Sequence, residues 1–273
     1  MYELQPVEPL LRIDTLVNVW DYRRPKGMNF TGESHDFWEL VYIRDGTVTA
    51  TGDERVYRLS EGRLLFHRPM EFHRIWSDAN CAPWLVNLSF CASGDGMKRL
   101  EKCCFDLNEA QRQQFLDIAK TFQRGNNLDK MGLADACRQV RNLTAAKLEV
   151  FLLELLEQGE REQRIISEDE ARFARIVKVM KQNCQRMLSL QELAELCGLS
   201  VSNMKRIFAQ YSDVGVAKYF LSLKMRRAMQ LLREGLPVSE VAEQLEFAET
   251  GYFSAVFKRE TGMTPTAYKH IHN

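Results

Sequence analysis

No run of 18 apolar residues occurs anywhere in this 273-residue chain, so no membrane-spanning helix is expected. The opening stretch, MYELQPVEPLLRIDTL, carries acids and lacks the basic, apolar, small-residue order of a signal peptide. A cytoplasmic location, with no membrane partner, is the expectation. The cysteines, Cys81, Cys91, Cys103, Cys104, Cys137, Cys184 and Cys197, are odd in number and include no C-x-x-C pair. That argues against a zinc cluster and a disulfide framework and leaves reduced, mostly buried thiols. An excess of one charge is also missing, with 37 basic and 37 acidic residues. The balance hides an asymmetry: from 168 to 273, Lys and Arg outnumber Asp and Glu by 15 to 12. A basic C-terminal third permits nucleic-acid binding. No nucleophile constellation, phosphate loop or cofactor fingerprint is present, so neither an enzyme nor a bound cofactor is expected.

What is there falls into three textures. Residues from about 10 to 92 are rich in Val, Tyr, Phe and Trp, and WELVYIRDGTVTATGDERVYRLSEGRLLFHRP (38–69) reads as short strands joined by tight turns at Asp45-Gly46 and Gly52-Asp53. An antiparallel barrel or sandwich is the natural product. The pattern then turns helical, and LTAAKLEVFLLELLEQ (143–158) sets Leu148, Phe151, Leu152, Leu155 and Leu156 on one broad stripe. Such a stripe needs a partner, either the barrel or a second subunit. A charged stretch follows, and everything beyond it reads as helix. The expected division is a β domain over 1–105, a helical segment over 106–163, a linker over 164–170 and an all-helical domain over 171–273. The fold class is α+β in two domains.

The last hundred residues contain one unit twice. LAELCGLSVSNMKRIF (193–208) returns as VAEQLEFAETGYFSAVF (241–257) with one extra residue in its turn. Leu193, Ala194, Cys197 and Leu199 correspond to Val241, Ala242, Leu245 and Phe247; Met204 and Phe208 correspond to Phe253 and Phe257. Each copy is a short helix, a turn, and a second helix with an inner face at four-residue spacing, the logic of a helix-turn-helix. Ser189 with Glu192 spells a capping box, Ser200 caps the next helix, and Thr264-Pro265 opens the last. Between the copies, VAKYFLSLKMRRAMQLLRE is a strong helix of roughly 27 Å, long enough to separate two groove-reading helices. Lys224, Arg226 and Arg227 on it are candidates for phosphate contacts or for a solvated face.

These motifs, LSLQELAELCGLSVSNMKRIF, YFLSLKMRRAMQLL and VSEVAEQLEFAETGYFSAVFKRETGMTPTAY, resemble in order and spacing the AraC/XylS-type transcription regulators. The resemblance implies two helix-turn-helix units, activator function by default, and an N-terminal domain controlled by a ligand or by dimerisation. It implies double-stranded DNA, a small-molecule effector, a second copy of the chain and RNA polymerase as partners. Carried over position by position, the DNA-contacting residues fall on Ser202, Asn203, Lys205 and Arg206 in the first unit. In the second they fall on Thr250, Gly251, Tyr252 and Ser254, with Lys258 and Arg259 as backbone anchors. Gly251 and Ala255 leave the second recognition helix poor in reading side chains, and Glu246 stands where a turn glycine is usual. The first unit is therefore expected to specify the sequence and the second to anchor.

In the N-terminal part, GMNFTGESHDFWELVYIRDG (27–46) carries Gly27, Glu33, His35, Glu39 and Gly46 on the spacing of the first cupin motif, with Glu33 in place of its first His. GRLLFHRPMEFH (62–73) resembles the second motif, with Pro69 and His73 in place. Period-two geometry would put Glu33, His35, Phe37 and Glu39 on the inner face of one strand, with His73 opposite and Trp38, Leu40 and Tyr42 on the outer face. The donor types would suit a metal held by Glu33, His35, Glu39 and His73, but the lost His favours a polar effector pocket, for a sugar or similar molecule. By family analogy the stripe of Leu148, Phe151, Leu152 and Leu155 is expected to be the dimer surface. The leading expectation is a ligand-responsive DNA-binding regulator. The alternatives are a cupin metalloprotein or enzyme with a helical appendage and a protein-binding adaptor on a degenerate DNA-binding fold.

Overall fold

The structure, a computed structural model, describes residues 5–101, 103–158 and 167–272. Positions 159–166, which hold the end of the expected helical segment and the first part of the expected linker, lie outside the described residues. The chain divides into two compact units, one of residues 1–52 with 56–164 and one of residues 53–55 with 165–273. No described helix is long and apolar enough to cross a membrane. All seven cysteines are free thiols.

Among the described residues the first unit holds the strands β1 (Arg12–Arg23), β2 (Asn29–Glu33), β3 (Trp38–Asp45), β4 (Thr47–Gly52), β5 (Arg55–Ser60), β6 (Arg63–His67), β7 (His73–Trp76), β8 (Trp84–Ser93) and β9 (Cys104–Asp106). Its helices among the described residues are α1 (Asp95–Arg99), α2 (Glu109–Lys130) and α3 (Ala134–Gln158). The strands form a five-stranded sheet in the order β1-β8-β3-β6-β9 and a four-stranded sheet in the order β2-β7-β4-β5. The register pairs are antiparallel, as expected. Gly46 turns β3 into β4 at φ +84, where a Cβ would also meet the Pro83 backbone at 3.1 Å.

Strand β3 is buried on both faces. Val41 and Ile43 face the second sheet, in a core with Val48, Ala50, Tyr57, Leu59, Leu65 and Ile75. Trp38, Leu40 and Tyr42 face outward, as the alternation predicts, into a second core with Leu64, Phe66, Leu88 and Phe90. That outer face is wholly apolar and must be covered, and α2 and α3 cover it. Leu148, Phe151, Leu152 and Leu155 are each fully buried there, against Phe115, Ile118 and Phe122 of α2 and the sheet. This corrects the expected dimer surface: those four side chains are the lid of their own subunit's core. Each contributes roughly 1.5–3 kcal/mol by burial, which a subunit interface would have to forfeit.

The second unit is helical: α4 (Glu168–Gln182), α5 (Leu190–Cys197), α6 (Val201–Tyr211), α7 (Val216–Arg233), α8 (Val238–Gln244), α9 (Thr250–Thr261) and α10 (Pro265–His272). Helix α4 starts within the stretch expected to be linker. Ser167 and Glu170 form a reciprocal capping box there, which satisfies the first-turn N–H groups. The expected caps at Ser189, Ser200 and Thr264 are all present.

Lys224 does not reach for phosphate. Its side chain is 2% exposed, and its ammonium donates to the carbonyls of Cys184, Gln185 and Arg186 at 3.1, 3.0 and 2.9 Å. Arg226 is likewise engaged, donating at 2.8 Å to the buried carboxylate of Asp53, which Lys181 also approaches at 2.9 Å. The lysine thus closes the turn after α4 onto the middle of α7 with all three of its N–H groups used. Lys224→Met should lower stability by about 2–4 kcal/mol in chemical denaturation of the full chain, because it strands three inward carbonyls. A loss below about 0.5 kcal/mol would show that water replaces the ammonium freely.

Candidate functional site

The first unit holds a cavity of about 350 Å³ whose lining includes Asn18, Trp20, Tyr22, Glu33, His35, Phe37, Glu39, His67, His73 and Asn87. All five residues expected at the effector site line it. The route differs from the expectation of one strand face. Glu33 ends β2, opposite His73 of β7 in the four-stranded sheet, and Glu39 lies in β3 of the five-stranded sheet, beside Ser89 and His67. His35 and Phe37 sit in the connection that crosses between the two sheets. The two rings stack at 3.8 Å with 7° between planes.

Glu39 is the centre of this site. Asn87 donates to its Oε1 at 2.8 Å, and Oε2 lies 3.2 Å from Nε2 of His73 and 3.7 Å from Nε2 of His35. Burial alone would raise its pKa. The imidazoles of His35, His73 and His67 outweigh burial and hold it well below the ordinary carboxylate range. The reciprocal effect falls on His73. Burial opposes its charge, but Glu39 beside it and Glu71 raise its pKa. His67, stacked on His73 at 4.2 Å, is pushed the other way by burial and by that neighbouring charge, although its Nδ1 lies 3.0 Å from Glu71 Oε2. The floor thus favours the ionised form of Glu39 and pushes the two stacked imidazoles apart, His73 upward and His67 downward.

His67, Asn87, Ser89 and Asn18 were not picked out by the sequence. Alternation along β6 held the signal for His67: Leu64 and Phe66 face the helices, so Leu65 and His67 face inward. Asn18, Asn87 and Ser89 come from β1 and β8, whose polar residues carry no local motif.

The second unit presents the two helix-turn-helix pairs. In the first, Gly198 takes the left-handed conformation after α5, and Leu199 N–H donates back to Ala194 C=O at 2.9 Å. In the second, Glu246 takes the same conformation at φ 55, and Phe247 N–H donates to Ala242 C=O at 2.9 Å. The duplicated sequence therefore makes duplicated turns, with the same helix-ending hydrogen bond in each. Glu246 can replace glycine here because its carboxylate gains a bond from Met187 N–H at 2.8 Å.

On α6, Ser202, Lys205 and Arg206 are exposed and Asn203 is half-buried. Met204, Ile207 and Phe208 face the core. Arg206 donates to Asn203 Oδ1 at 3.2 Å and to Asp169 Oδ2 at 3.3 Å, so a residue of α4 orients it. Asp169 was missed because its partner lies 37 positions away. On α9, Thr250, Gly251, Tyr252, Lys258 and Arg259 are exposed, and Ser254 spends its hydroxyl on Thr250 C=O at 2.9 Å. Tyr252, 58% exposed, is the large side chain that this helix offers outward before its basic last turn.

Residues 22–171 match the AraC-like ligand binding domain family, and residues 193–271 match a helix-turn-helix domain family. The chain is similar to the HTH-type transcriptional activator RhaR of Salmonella schwarzengrund (strain CVM19633), at 24% identity over 261 residues covering 89% of this chain and 88% of that protein. It is also similar to the HTH-type transcriptional regulator GbdR of Pseudomonas aeruginosa (strain UCBPP-PA14), at 29% identity over 131 residues covering 46% of this chain and 36% of that one. Among solved structures it is similar to ToxT from Vibrio cholerae O395, with a TM-score of 0.38, 14% identity and coverage of 94% and 98% of the two chains. The DNA-binding domain of AdpA in complex with a target DNA aligns with a TM-score of 0.34 and 21% identity, covering 36% of this chain and 90% of that one.

The contrast between α6 and α9 has a measurable consequence. Arg206→Ala should relax base preference at one subsite in a binding-site scan, by roughly 1–3 kcal/mol of discrimination. Lys258→Ala should instead weaken binding evenly across sequences and shallow the salt dependence. The reverse pattern would overturn the assignment of reading to α6.

Proposed function

Because this chain belongs to the AraC family of transcription regulators, with an N-terminal ligand-binding domain and a C-terminal helix-turn-helix domain, we propose that it is an activator controlled by a small hydroxylated molecule of the sugar class. The observation that carries the effector class is the mixture of unsatisfied acceptors and ring faces in the cavity. Asn18 Oδ1 and Asn87 Oδ1 are buried without a hydrogen-bond partner among the described residues, and hydroxyl donors would fill both. Trp20, Tyr22, Phe30 and Phe37 line the same space and offer faces for the apolar side of a sugar ring. Activation is supported by the word activator in the name of RhaR, similar along most of the chain, and RNA polymerase is the partner that activation would require. Control of DNA occupancy requires the effector to bind two states of the protein with different affinity.

The chain is proposed to act as a homodimer, through the opposite face of α3 from the one first expected. Leu143, Val150 and Leu153 are 43%, 51% and 39% exposed, and with the exposed Ala146 they fall at 143, 146, 150 and 153, the 3-4 spacing of a coiled-coil seam. The flanks are basic at Arg138 and acidic at Glu154 and Glu157. Antiparallel self-pairing would set Leu143 against Leu153 and the basic end beside the acidic one.

Two measurements test this function. Trp20 is 54% exposed, so Trp20→Ala should keep the fold. In a thermal-shift screen of pentoses, hexoses and deoxyhexoses, the wild-type protein should respond to at least one, and the variant should need at least about tenfold more of it. A full response in the variant would remove the rings from the effector site. In sedimentation, Val150→Glu should yield a folded monomer, while Leu152→Glu should lose the fold, because it buries a charge in the core. A dimer that survives Val150→Glu would refute the seam.

A further inference from the structure

Trp20 stands in the linings of two hollows. One is the cavity between the sheets. The other is a groove of about 500 Å³ at the edge of β1, whose lining includes Asn18 and Trp20 from the strand and Gln123, Asn126, Asn127 and Lys130 from α2. Asn18 is also common to both, so the hollows meet at these two side chains. Strand β1 is the edge of its sheet and pairs only with β8 among the described residues. Its register slips between Leu16 and Asn18. Such a bulge bends the strand and re-aims the side chains that follow it.

The helix side of the groove breaks a pattern. Phe115, Ile118, Ala119 and Phe122 form the buried row of α2 against the sheet. The next position of that row is Asn126, a half-buried amide where an apolar side chain would continue the core. Gln123, Asn127 and Lys130 flank it at three- and four-residue spacing. Two carboxylates of α2 are matched by cations of α3, Asp117 by Lys147 at 2.5 Å and Asp129 by Arg141 at 3.2 Å. The side chains of Gln123, Asn126, Asn127 and Lys130 make no hydrogen bond or ion pair with any described residue. An amide offers a donor and an acceptor side by side, which matches a hydroxyl, itself both. Amides around an indole face suit a sugar unit, whose C–H face packs on the ring while its hydroxyls take the amides.

We infer that the groove between β1 and α2 is a second sugar subsite, and that the effector is a saccharide of at least two units. One unit lies in the cavity between the sheets, the next lies in the groove, and Trp20 stands at the junction. The inference rests on the sugar reading of the cavity and deepens it from a hydroxylated molecule to a disaccharide or longer chain. At about 350 and 500 Å³, each hollow falls within the roughly 300–1,000 Å³ of small-molecule sites. Both lie in the same compact unit of the chain. A two-unit ligand ties the open edge of β1 to α2, a connection that a monosaccharide held in the cavity does not make.

Calorimetric titration of the full-length protein with maltose, cellobiose, lactose, melibiose, xylobiose and rutinose, each beside its constituent monosaccharides, tests this. At least one disaccharide is expected to bind at least about tenfold more tightly than the monosaccharides it contains. Asn126→Ala and Asn127→Ala should each weaken that disaccharide on the order of tenfold and leave the monosaccharides within about twofold, with circular dichroism verifying the fold. Trp20→Ala should weaken both kinds of ligand. A monosaccharide that binds as tightly as every disaccharide containing it would overturn the inference and leave the sugar cavity standing. So would a disaccharide whose affinity is the same in both α2 variants. No binding by any saccharide would remove the sugar reading and the second subsite together.

Discussion

The N-terminal unit depends on one constraint, the burial of β3 on both of its faces. Its outer row, Trp38, Leu40 and Tyr42, must be covered, and the broad stripe of α3 covers it together with α2. Its inner row begins with Glu39 and continues into Val41 and Ile43, which close the space between the sheets. The same strand therefore anchors the core at one end and carries a buried carboxylate at the other. A buried carboxylate needs compensation, and the three imidazoles and the Asn87 amide gathered around it are that compensation. The pocket is polar because a charge has been fixed where the sheets part.

The helical unit solves a different problem, holding two short helices outward without a large core for each. Each pair ends its first helix in a left-handed residue and the same backward hydrogen bond, followed directly by half-buried Leu199 in the first pair and buried Phe247 in the second. Helix α7 lies between them, and its most basic stretch is largely consumed by structure. Lys224 closes a turn and Arg226 neutralises Asp53. The exposed polar side chains of α6 include Arg206, held by Asn203 and Asp169. The second recognition helix offers Tyr252 and its basic last turn in place of a row of polar side chains.

Legibility in the sequence followed the range of the interactions. The two helix-turn-helix units, their caps and the alternation of β3 rest on contacts within a few residues, and all of them could be read from periodicity and cap chemistry. The pocket residues Glu33, His35, Phe37, Glu39 and His73 were also legible, through a spacing, although the strand geometry assumed for them was not the one found. The connection from Ser34 to Phe37 leaves the strand and crosses to the other sheet, and no local pattern marks that crossing.

The sequence by itself determined the class of fold, the duplication, and the poverty of the second recognition helix, because propensity, caps and side-chain identity are local properties. Only the tertiary structure decided which face of α3 is spent on its own core and which basic residues of α7 are buried. Those outcomes are set by partners tens of positions away. A stripe of leucines does not say whose core it covers, and a lysine does not say which distant carbonyls will take its protons.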